Sequence, residues 1–265
     1  GSVKLITPDW SGKLSGFTLL FEALLLQLAI SMPVSKVSQL VGVSEYKIWA
    51  MLDKYVEQAL SEQDLSTIEQ IGIDETSIAK GHSYISLFVD LYQRRTIHIS
   101  EGKGSDTICD FVAHLTKQNG TAEQVKEVSC DMSPAFIKGV SESLPEAKIT
   151  FDKFHILKLI NEAVDSVRRT EAKTNPLLKG NRYTVLKNDA NLTAKQREAK
   201  SSLSKLNLKT MRAVSMRETF QQLYSSPDLF SFEQALKRWY FWATHSQLSP
   251  MIKVAKTIKK HWNGV

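Results

Sequence analysis

Two aspartates follow short runs that are typical of β-strands. Asp74 comes after residues 71–73, and Asp131 comes after residues 125–130. Carboxylates on neighbouring strands can bind hard divalent cations, and two such ions roughly 3.5–4 Å apart serve many enzymes that cut and rejoin phosphodiester backbones. An aspartate in this position can also cap a turn or helix, and residues 131–134 are suited to start a helix. The elements around the pair must therefore decide between a metal site and two caps.

The elements predicted between residues 66 and 172 have one clear order. Three strands are predicted at 69–75, 82–91 and 94–100, followed by a helix from Ser105 that stops at Asn119-Gly120. A strand ending at Asp131, a helix at 133–143, a strand at 147–152 and a helix at 153–170 complete the series. This is the order of an α/β ribonuclease-H-like domain of the retroviral-integrase type, with helices flanking a mixed sheet. In that sheet the first and fourth strands are parallel neighbours, so we expect Asp74 and Asp131 to meet.

Four sequence blocks point to one family. They are IGIDE (71–75), SCDMSPAF (129–136), FDKFH (151–155) and LKRWYFW (236–242). Together they resemble the ISL-three family (ISL3) of bacterial insertion-sequence DDE transposases, over nearly the whole chain. The resemblance implies that two aspartates and a glutamate hold two Mg²⁺ or Mn²⁺ ions, which activate water and later a DNA 3′-hydroxyl for attack on phosphorus. Asp74 and Asp131 match the two aspartates, and we assign them as catalytic and metal-binding residues.

The third carboxylate has no match in this sequence. In the family it follows the tryptophan-rich segment, on a helix that this sequence does not reach before Val265. We therefore expect an incomplete metal site. Related integrases place the glutamate on the helix after the fifth strand, which makes Glu162 or Asp165 the fallback candidate. Both residues also fit an exposed helix face beside Arg168 and Arg169.

Two residues of the third block are assigned an auxiliary role. Asp152 ends the fifth strand, so we expect it at the same sheet edge as the aspartate pair. We expect His155 to contact the scissile phosphate or to act in proton transfer. An aspartate that only caps a helix explains Asp152 equally well, and the functional role rests on the resemblance.

The first part of the chain predicts a helix-turn-helix. Helices are expected at 17–31 and 35–41, Gly42 makes the turn, and Ser44 caps a third helix that runs to residue 60. That third helix takes the recognition position and carries three outward candidates for DNA contact, Tyr46, Lys47 and Lys54. Plain helical packing uses the same kind of turn, so the DNA role is favoured mainly by the resemblance.

Charge is distributed unevenly along the chain. Residues 1–131 contain 11 Lys and Arg against 17 Asp and Glu, whereas residues 132–265 contain 23 against 11. The basic part favours a surface that follows a phosphate backbone, although a solvated helical face has a similar composition. The phosphate contacts predicted there are Arg168, Arg169, Lys195, Arg197, Lys200, Arg212 and Arg217.

The last part of the chain reads as helical. Helices are expected at 194–206, 208–224 and 232–245, in a block that resembles an insertion before the final glutamate helix. Its aromatic run at 239–242 covers all sides of a helix and indicates a core, with stacking of one Trp on an unpaired base as the alternative. We thus predict a DNA-binding segment at 1–65, a catalytic core at 66–172 and an all-helical insertion at 173–265.

Composition limits the other possibilities. At 265 residues and 42% hydrophobic, the chain can bury a substantial core. Cys109 and Cys130 are isolated, which indicates reduced core residues rather than a metal pair. The longest apolar stretch, residues 17–30, is interrupted by Glu22 and Gln27, so neither a signal peptide nor a membrane span is expected. Gly1-Ser2 resembles a tag remnant, and the family's Cys-rich zinc module has no match, so we expect a shortened start.

The resulting hypothesis is a transposase fragment of the bacterial cytoplasm, associated with the nucleoid. In the complete protein it would bind double-stranded DNA at transposon terminal inverted repeats and at target sites, with two Mg²⁺ or Mn²⁺ ions, as a homo-oligomer on DNA. One alternative is a truncated, non-catalytic protein that binds transposon ends. Another is a nuclease that uses Glu162.

Overall fold

The computed structural model describes residues 8–14, 16–79 and 83–265, and the chain divides into two units, Gly1–Leu65 and Ser66–Val265. Each unit is described by itself. Gly1-Ser2, interpreted from the sequence as a tag remnant, lies outside the described residues. None of the described helices is both long and apolar enough to cross a membrane.

The first unit contains three helices, α1 (Leu19–Ser31), α2 (Val34–Val41) and α3 (Glu45–Ser61). Gly42 adopts the left-handed backbone conformation (φ 69°) that favours glycine, and it turns the chain from α2 into α3. Ser44 occupies the position before α3 as expected, but its side chain makes no capping hydrogen bond. The helix-turn-helix predicted from the sequence is therefore present.

A buried carboxylate, that of Glu22, links separate segments of the first unit. Glu22 of α1 accepts hydrogen bonds from the backbone N–H groups of Lys13 (2.9 Å) and Leu14 (2.7 Å) and from the hydroxyl of Tyr55 (2.8 Å). Burial raises the pKa of Glu22, but these hydrogen bonds outweigh burial and hold the pKa below its ordinary value. The ionised side chain thus ties the segment before α1 to α3.

The second unit is built on a five-stranded sheet in the order β3-β2-β1-β4-β5. β1 pairs antiparallel with β2, and β2 pairs antiparallel with β3, whereas β4 is parallel to both β1 and β5. The strands are β1 (Gln70–Ala79), β2 (Ser83–Asp90), β3 (Arg95–Glu101), β4 (Glu127–Cys130) and β5 (Lys148–Phe151). This order and these directions are those of the ribonuclease-H-like fold, so the predicted fold class is confirmed.

Three helices occur in the predicted order, each after a strand. α4 (Asp106–Lys117) follows β3, α5 (Pro134–Ser143) follows β4 and α6 (Lys153–Glu171) follows β5. The apolar stripe of α4 is buried, and its Phe111 stacks on Phe88 of β2 with ring centres 4.5 Å apart. Ser105 precedes α4, but it makes no side-chain capping bond. Cys130 is buried, whereas Cys109 on α4 is exposed, so the expectation of two core cysteines is correct only for Cys130.

The remaining helices share a core with α6. They are α7 (Arg182–Leu186), α8 (Ala194–Ser204), α9 (Lys209–Leu223), α10 (Leu229–Thr244) and α11 (Ser249–Lys260). Ile160 and Val164 of α6 belong to the same buried cluster as Phe220 of α9 and Trp239 of α10. One core thus joins α6 to these helices. The division into a domain at 66–172 and a second domain at 173–265 stays a prediction.

Burial divides the aromatic run at 239–242. Trp239 is buried, and its indole N–H donates to the carbonyl of Met216 at 2.8 Å, as a core role requires. Tyr240 is partly buried, whereas Phe241 and Trp242 are exposed. The core interpretation therefore holds for one side of α10 only.

Candidate active site

Three aspartates share one level of the parallel half of the sheet. Gly72 of β1 is level with Ser129 of β4, which is level with Thr150 of β5. Asp74, Asp131 and Asp152 each come two residues later. Residues two apart along a strand point to the same face, and neighbouring strands lie about 4.8 Å apart. The backbone N–H of Asp152 donates to the carbonyl of Cys130 (2.8 Å), so the β4–β5 pairing continues to this level. We call these three residues the aspartate edge.

The structure corrects the position of Asp74. The sequence pattern places it at the end of the first strand, but β1 continues to Ala79 because its antiparallel pairing with β2 extends past Asp74. What ends near Asp74 is the parallel pairing with β4, whose last partners are Gly72 and Ser129. The carboxylate therefore lies where β1 loses one neighbour, and 65% of its side chain is exposed.

His155 connects the two outer aspartates. Asp152 caps α6 by accepting a hydrogen bond from the backbone N–H of Phe154 (2.7 Å), so α6 begins directly at the aspartate edge. The first turn places His155 Nε2 3.9 Å from Asp74 Oδ1 and 4.0 Å from Asp152 Oδ2. These distances exceed those of hydrogen bonds, so the imidazole lies near both carboxylates without a direct hydrogen bond to either. Asp152 is thus both a helix cap and a neighbour of His155.

Backbone contacts orient the two central aspartates. Asp74 Oδ1 accepts from the backbone N–H of Glu75 (2.8 Å), and Asp131 Oδ1 accepts from that of Ser133 (2.9 Å). Across the described part of the chain, no Lys or Arg lies within ion-pair distance of either carboxylate. Asp74 is exposed and Asp131 is partly buried. Carboxylate oxygens without a lysine or arginine partner are the ligands that Mg²⁺ and Mn²⁺ prefer.

The donor set suits a divalent ion but does not enclose one. Within 8–14, 16–79 and 83–265, no group of three or more His, Cys, Asp or Glu side chains is arranged to hold a metal ion. Asp74 and Asp131 therefore fit the chemistry of a hard-cation site, whereas the geometry needs a further ligand.

The fallback carboxylates lie elsewhere on α6. Glu162 comes seven residues after His155, which at 1.5 Å per residue is about 10 Å farther along the helix axis. Asp165 is buried and bound by arginines: Arg168 at 2.8 Å, Arg169 at 3.5 Å and Arg182 at 3.7 Å. This arrangement explains Asp165 as a structural ion-pair partner, and it favours neither residue as the third ligand.

Several predicted phosphate contacts are used inside the fold. Arg217 is only 1% exposed, and its guanidinium donates to the carbonyls of Val185 (2.9 Å) and Leu186 (2.8 Å). The prediction that Arg217 contacts DNA is wrong, because α9 turns this residue into the core. Lys200 is paired with Asp189 and Glu218, and Arg168 with Asp165, so these two cations already have counter-charges.

The other predicted contacts lie at the surface. Tyr46, Lys47 and Lys54 are exposed on α3, and Lys54 donates to the carbonyl of Lys13 at 2.9 Å. In the second unit Arg212 is exposed but donates to the carbonyl of Ser246 at 2.6 Å. The remaining exposed cations of the set are Arg169, Lys195 and Arg197. Their contact with DNA stays a prediction.

Two aromatic residues beside the site were not singled out from the sequence. Phe154 is 69% exposed, and its ring lies edge-on to His155 with centres 5.7 Å apart. Burial, reinforced by the charge of Asp152, raises the pKa of Tyr224 to about 12. A large apolar residue off the buried stripe of α6 was the available signal for Phe154, whereas only the tertiary structure brings Tyr224 near Asp152.

Comparisons with known proteins agree with this architecture. A ribonuclease-H-like sheet with aspartates on adjacent strands, together with a helix-turn-helix, defines a class of nucleic-acid-processing proteins. The family model of the ISL3 DDE transposases, described as "Transposase", matches residues 71–265, and "Helix-turn-helix domain of transposase family ISL3" matches residues 6–56. The chain therefore belongs to the ISL3 family of insertion-sequence transposases, and the resemblance seen in the four sequence blocks is confirmed.

Curated relatives have the same description. The transposase for insertion sequence element IS1001 of Bordetella parapertussis is 25% identical over 273 residues, covering 100% of this chain and 67% of that protein. The transposase for insertion sequence element IS1557 of Mycobacterium tuberculosis is 25% identical over 292 residues, covering 97% of this chain and 64% of that protein. This chain spans about two thirds of the length of these relatives.

Solved structures include viral integrases. The HTLV-2 integrase catalytic core domain in complex with magnesium is 15% identical, covers 55% of this chain and 91% of that chain, and has a TM-score of 0.26. A chain of a simian T-cell lymphotropic virus intasome is 12% identical, covers 55% and 50%, and also has a TM-score of 0.26. At these TM-scores the fold assignment rests on the strand order and register of the sheet itself.

Proposed function

We propose that this chain supplies the DNA-binding part and two of the metal ligands of a transposase that cleaves and transfers DNA strands. The observation that carries this proposal is the common level of Asp74 and Asp131 on adjacent parallel strands, within a chain of the ISL3 family. Asp74 and Asp152 are 65% and 48% exposed, which leaves these two residues of the aspartate edge accessible to a phosphodiester backbone.

Each residue of the site has a proposed role. Asp74 and Asp131 provide carboxylate oxygens for Mg²⁺ or Mn²⁺. Bound divalent ions would supply activation of water or of a DNA 3′-hydroxyl and stabilisation of the leaving oxygen. His155, held between Asp74 and Asp152, is placed to contact the scissile phosphate or to hold a proton beside it.

We place the third carboxylate of the triad outside the described residues. The contacts of Gly264 support this placement: a Cβ there would lie 2.6 Å from Phe151 Cε2 and 2.8 Å from the Ile149 carbonyl oxygen. The chain near Val265 therefore runs against β5, the strand that leads into Asp152.

The proposed partners are double-stranded transposon ends and target DNA. Duplex binding is supported by the exposed side chains of Tyr46 and Lys47 on α3, the recognition helix of the helix-turn-helix. It is also supported by the exposed Arg169, Lys195 and Arg197 in the basic part of the chain, residues 132–265. We further propose a homo-oligomer assembled on DNA in the bacterial cytoplasm, in keeping with the membership of the chain in a family of bacterial insertion-sequence transposases.

Calorimetry with Mn²⁺ tests the metal site. We expect weak binding to the wild-type chain, because two carboxylates enclose a hard cation poorly. Asp74→Asn and Asp131→Asn should each abolish this binding, whereas Asp53→Asn, an exposed position on α3, should leave it unchanged. Identical titrations for all four proteins would exclude the proposed metal site.

A second candidate function is a DNA-binding protein without catalysis. It is favoured by the lack of a three-ligand metal group among the described residues. Strand cleavage on transposon-end DNA separates the two candidates. Metal-dependent cleavage by a chain extended beyond Val265, lost in Asp131→Asn, would support the enzyme; duplex binding without cleavage by that extended chain would support the alternative.

A further inference from the structure

A cleft of about 580 Å³ opens beside the aspartate edge, along α6 of the second unit. One wall is a stripe of α6 that starts at Phe154, next to His155, and runs to Arg169. α7, the segment that follows it and α9 form the other wall, through Arg182, Asn188 and Gln221. The cleft therefore starts at the candidate active site and leads away from it.

The mouth of the cleft carries an exposed aromatic ring. Phe154 is fixed at the first turn of α6 by its backbone hydrogen bond to Asp152, and its ring stands edge-on to His155. Phe154 is 69% exposed, so its ring is accessible to a ligand from solvent. Every nucleic-acid base has a π-face, so a fixed and exposed aromatic ring is a stacking site that tolerates any sequence.

The walls combine cations with amides. Lys158, one turn beyond Phe154, has no ion-pair partner within the described ranges. Asp165 is already paired with Arg169 and Arg182. The charged residues that line the cleft are three cations, Lys158, Arg169 and Arg182, and two carboxylates, Glu162 and Asp165, which leaves one positive charge in excess. Gln221 donates to Asn188 at 3.1 Å, which leaves the Gln221 carbonyl and the Asn188 amide N–H groups to face a ligand. This is a lining for phosphates and base edges.

The dimensions favour one strand over two. From Phe154 to Arg169 the helix rises about 22 Å at 1.5 Å per residue, which suits an extended chain of a few nucleotides. The cleft volume lies within the range of about 300–1,000 Å³ that is usual for single ligands, so a duplex would not enter. Resting on the function proposed above, we propose that this cleft binds the unpaired DNA strand next to the scissile phosphate, with Phe154 stacked on its first base.

Fluorescence anisotropy in the presence of EDTA tests this cleft apart from metal chemistry. The probes are a blunt labelled duplex and the same duplex with a single-stranded arm. We expect the wild-type chain to bind the armed duplex more tightly. Phe154→Ala should weaken binding to the armed duplex by about 5-fold to 100-fold, as expected for loss of one stacked base, and leave blunt-duplex binding unchanged. Phe154→Trp should retain the preference.

Matched variants control for general effects. Phe230→Ala removes an equally exposed ring on α10 outside the cleft and should change neither affinity. Lys195→Ala, on exposed α8, should weaken both probes equally, whereas Lys158→Ala should weaken the armed probe alone. Equal wild-type affinity for the two probes, or an unchanged preference in Phe154→Ala, would overturn the inference while leaving the metal site intact. Failure to bind either probe would overturn it together with the proposed DNA role.

Discussion

Two groups of carboxylates in the second unit have opposite surroundings. Asp165 is buried within reach of three guanidinium groups, from Arg168, Arg169 and Arg182. The aspartate edge brings three carboxylates to one level of the sheet, and among the described residues the side chain within 4.0 Å of two of them is the imidazole of His155. Anionic side chains are thus neutralised in one place and left together in the other.

The difference shows how a structural carboxylate can be told from a candidate ligand. A buried carboxylate needs counter-charges and hydrogen bonds, since an uncompensated charge in a core is costly. Adjacent carboxylates with few cationic neighbours repel one another, and such an arrangement is favourable only where water or a cation enters. The two groups therefore differ in burial and in charged partners, although the amino-acid sequence shows only aspartates in both.

Neutralising Asp165 should give the largest effect on stability. Asp165→Asn leaves Arg168, Arg169 and Arg182 without their shared counter-charge in a largely buried position. We expect the free energy of unfolding to fall by about 2 kcal/mol. Urea denaturation followed by circular dichroism measures this loss, with Asp53→Asn as the exposed control. A loss no larger than that of the control would mean that the arginine group is not a structural feature.

A lower pH should destabilise the protein through two histidines, His98 and His114, whose stacked imidazole rings have centres 4.6 Å apart. Burial lowers the pKa of both residues, and His114 lowers that of His98 further. The folded state therefore binds fewer protons than the unfolded state. The stability that these neutral imidazoles contribute should be fully present above the ordinary pKa of about 6.5 and be lost as the pH falls through the lowered pKa values.

Denaturation at pH 7.5 and pH 5 checks this expectation. His98→Phe should reduce the pH dependence, because it removes one of the two buried imidazoles. His155→Gln, at the exposed edge, is the comparison. If His155→Gln removed the pH dependence of stability and His98→Phe did not, that dependence would arise at the candidate active site and not from the His98–His114 pair.

Neutralising Asp131 of the aspartate edge should give the smallest change in stability, and this change should be an increase. Asp131→Asn removes one of three like charges, so we expect a change within about 0.5 kcal/mol, towards higher stability. Thermal unfolding without divalent ions measures it. Added Mn²⁺ should raise the melting temperature of the wild-type chain more than that of the variant, since only the former retains both ligands. A large loss of stability in the variant would assign Asp131 a structural role.

Local patterns account for much of the fold. The order of the strands and of α4, α5 and α6 was predicted because alternating and helical periodicities are each visible within one element. α7 is too short to show a period and is absent from the sequence-based prediction. α11 is absent as well, although Pro250 at its start and apolar residues at 251, 254, 255 and 258 were usable signals.

The candidate site was predictable in part for a similar reason. Asp74, Asp131, Asp152 and His155 stand in recognisable blocks, and the strand order implied that the first two would be neighbours. The cleft beyond Phe154 could not be found this way, because its walls come from α6 and from residues between Arg182 and Gln221, which lie in other elements of the chain. Which side chains face each other across such a gap depends on how the helices pack.

The sequence by itself determined the order of the strands and of α4, α5 and α6, the helix-turn-helix and the family, since each element and each sequence block depends on residues close together in the chain. Only the tertiary structure decided which charges are available. Lys195 and Arg217 belong to the same basic region, but packing leaves the first in water and turns the second into the core. The level of the aspartates was likewise decided by hydrogen bonds between β1, β4 and β5, which join residues far apart in the chain.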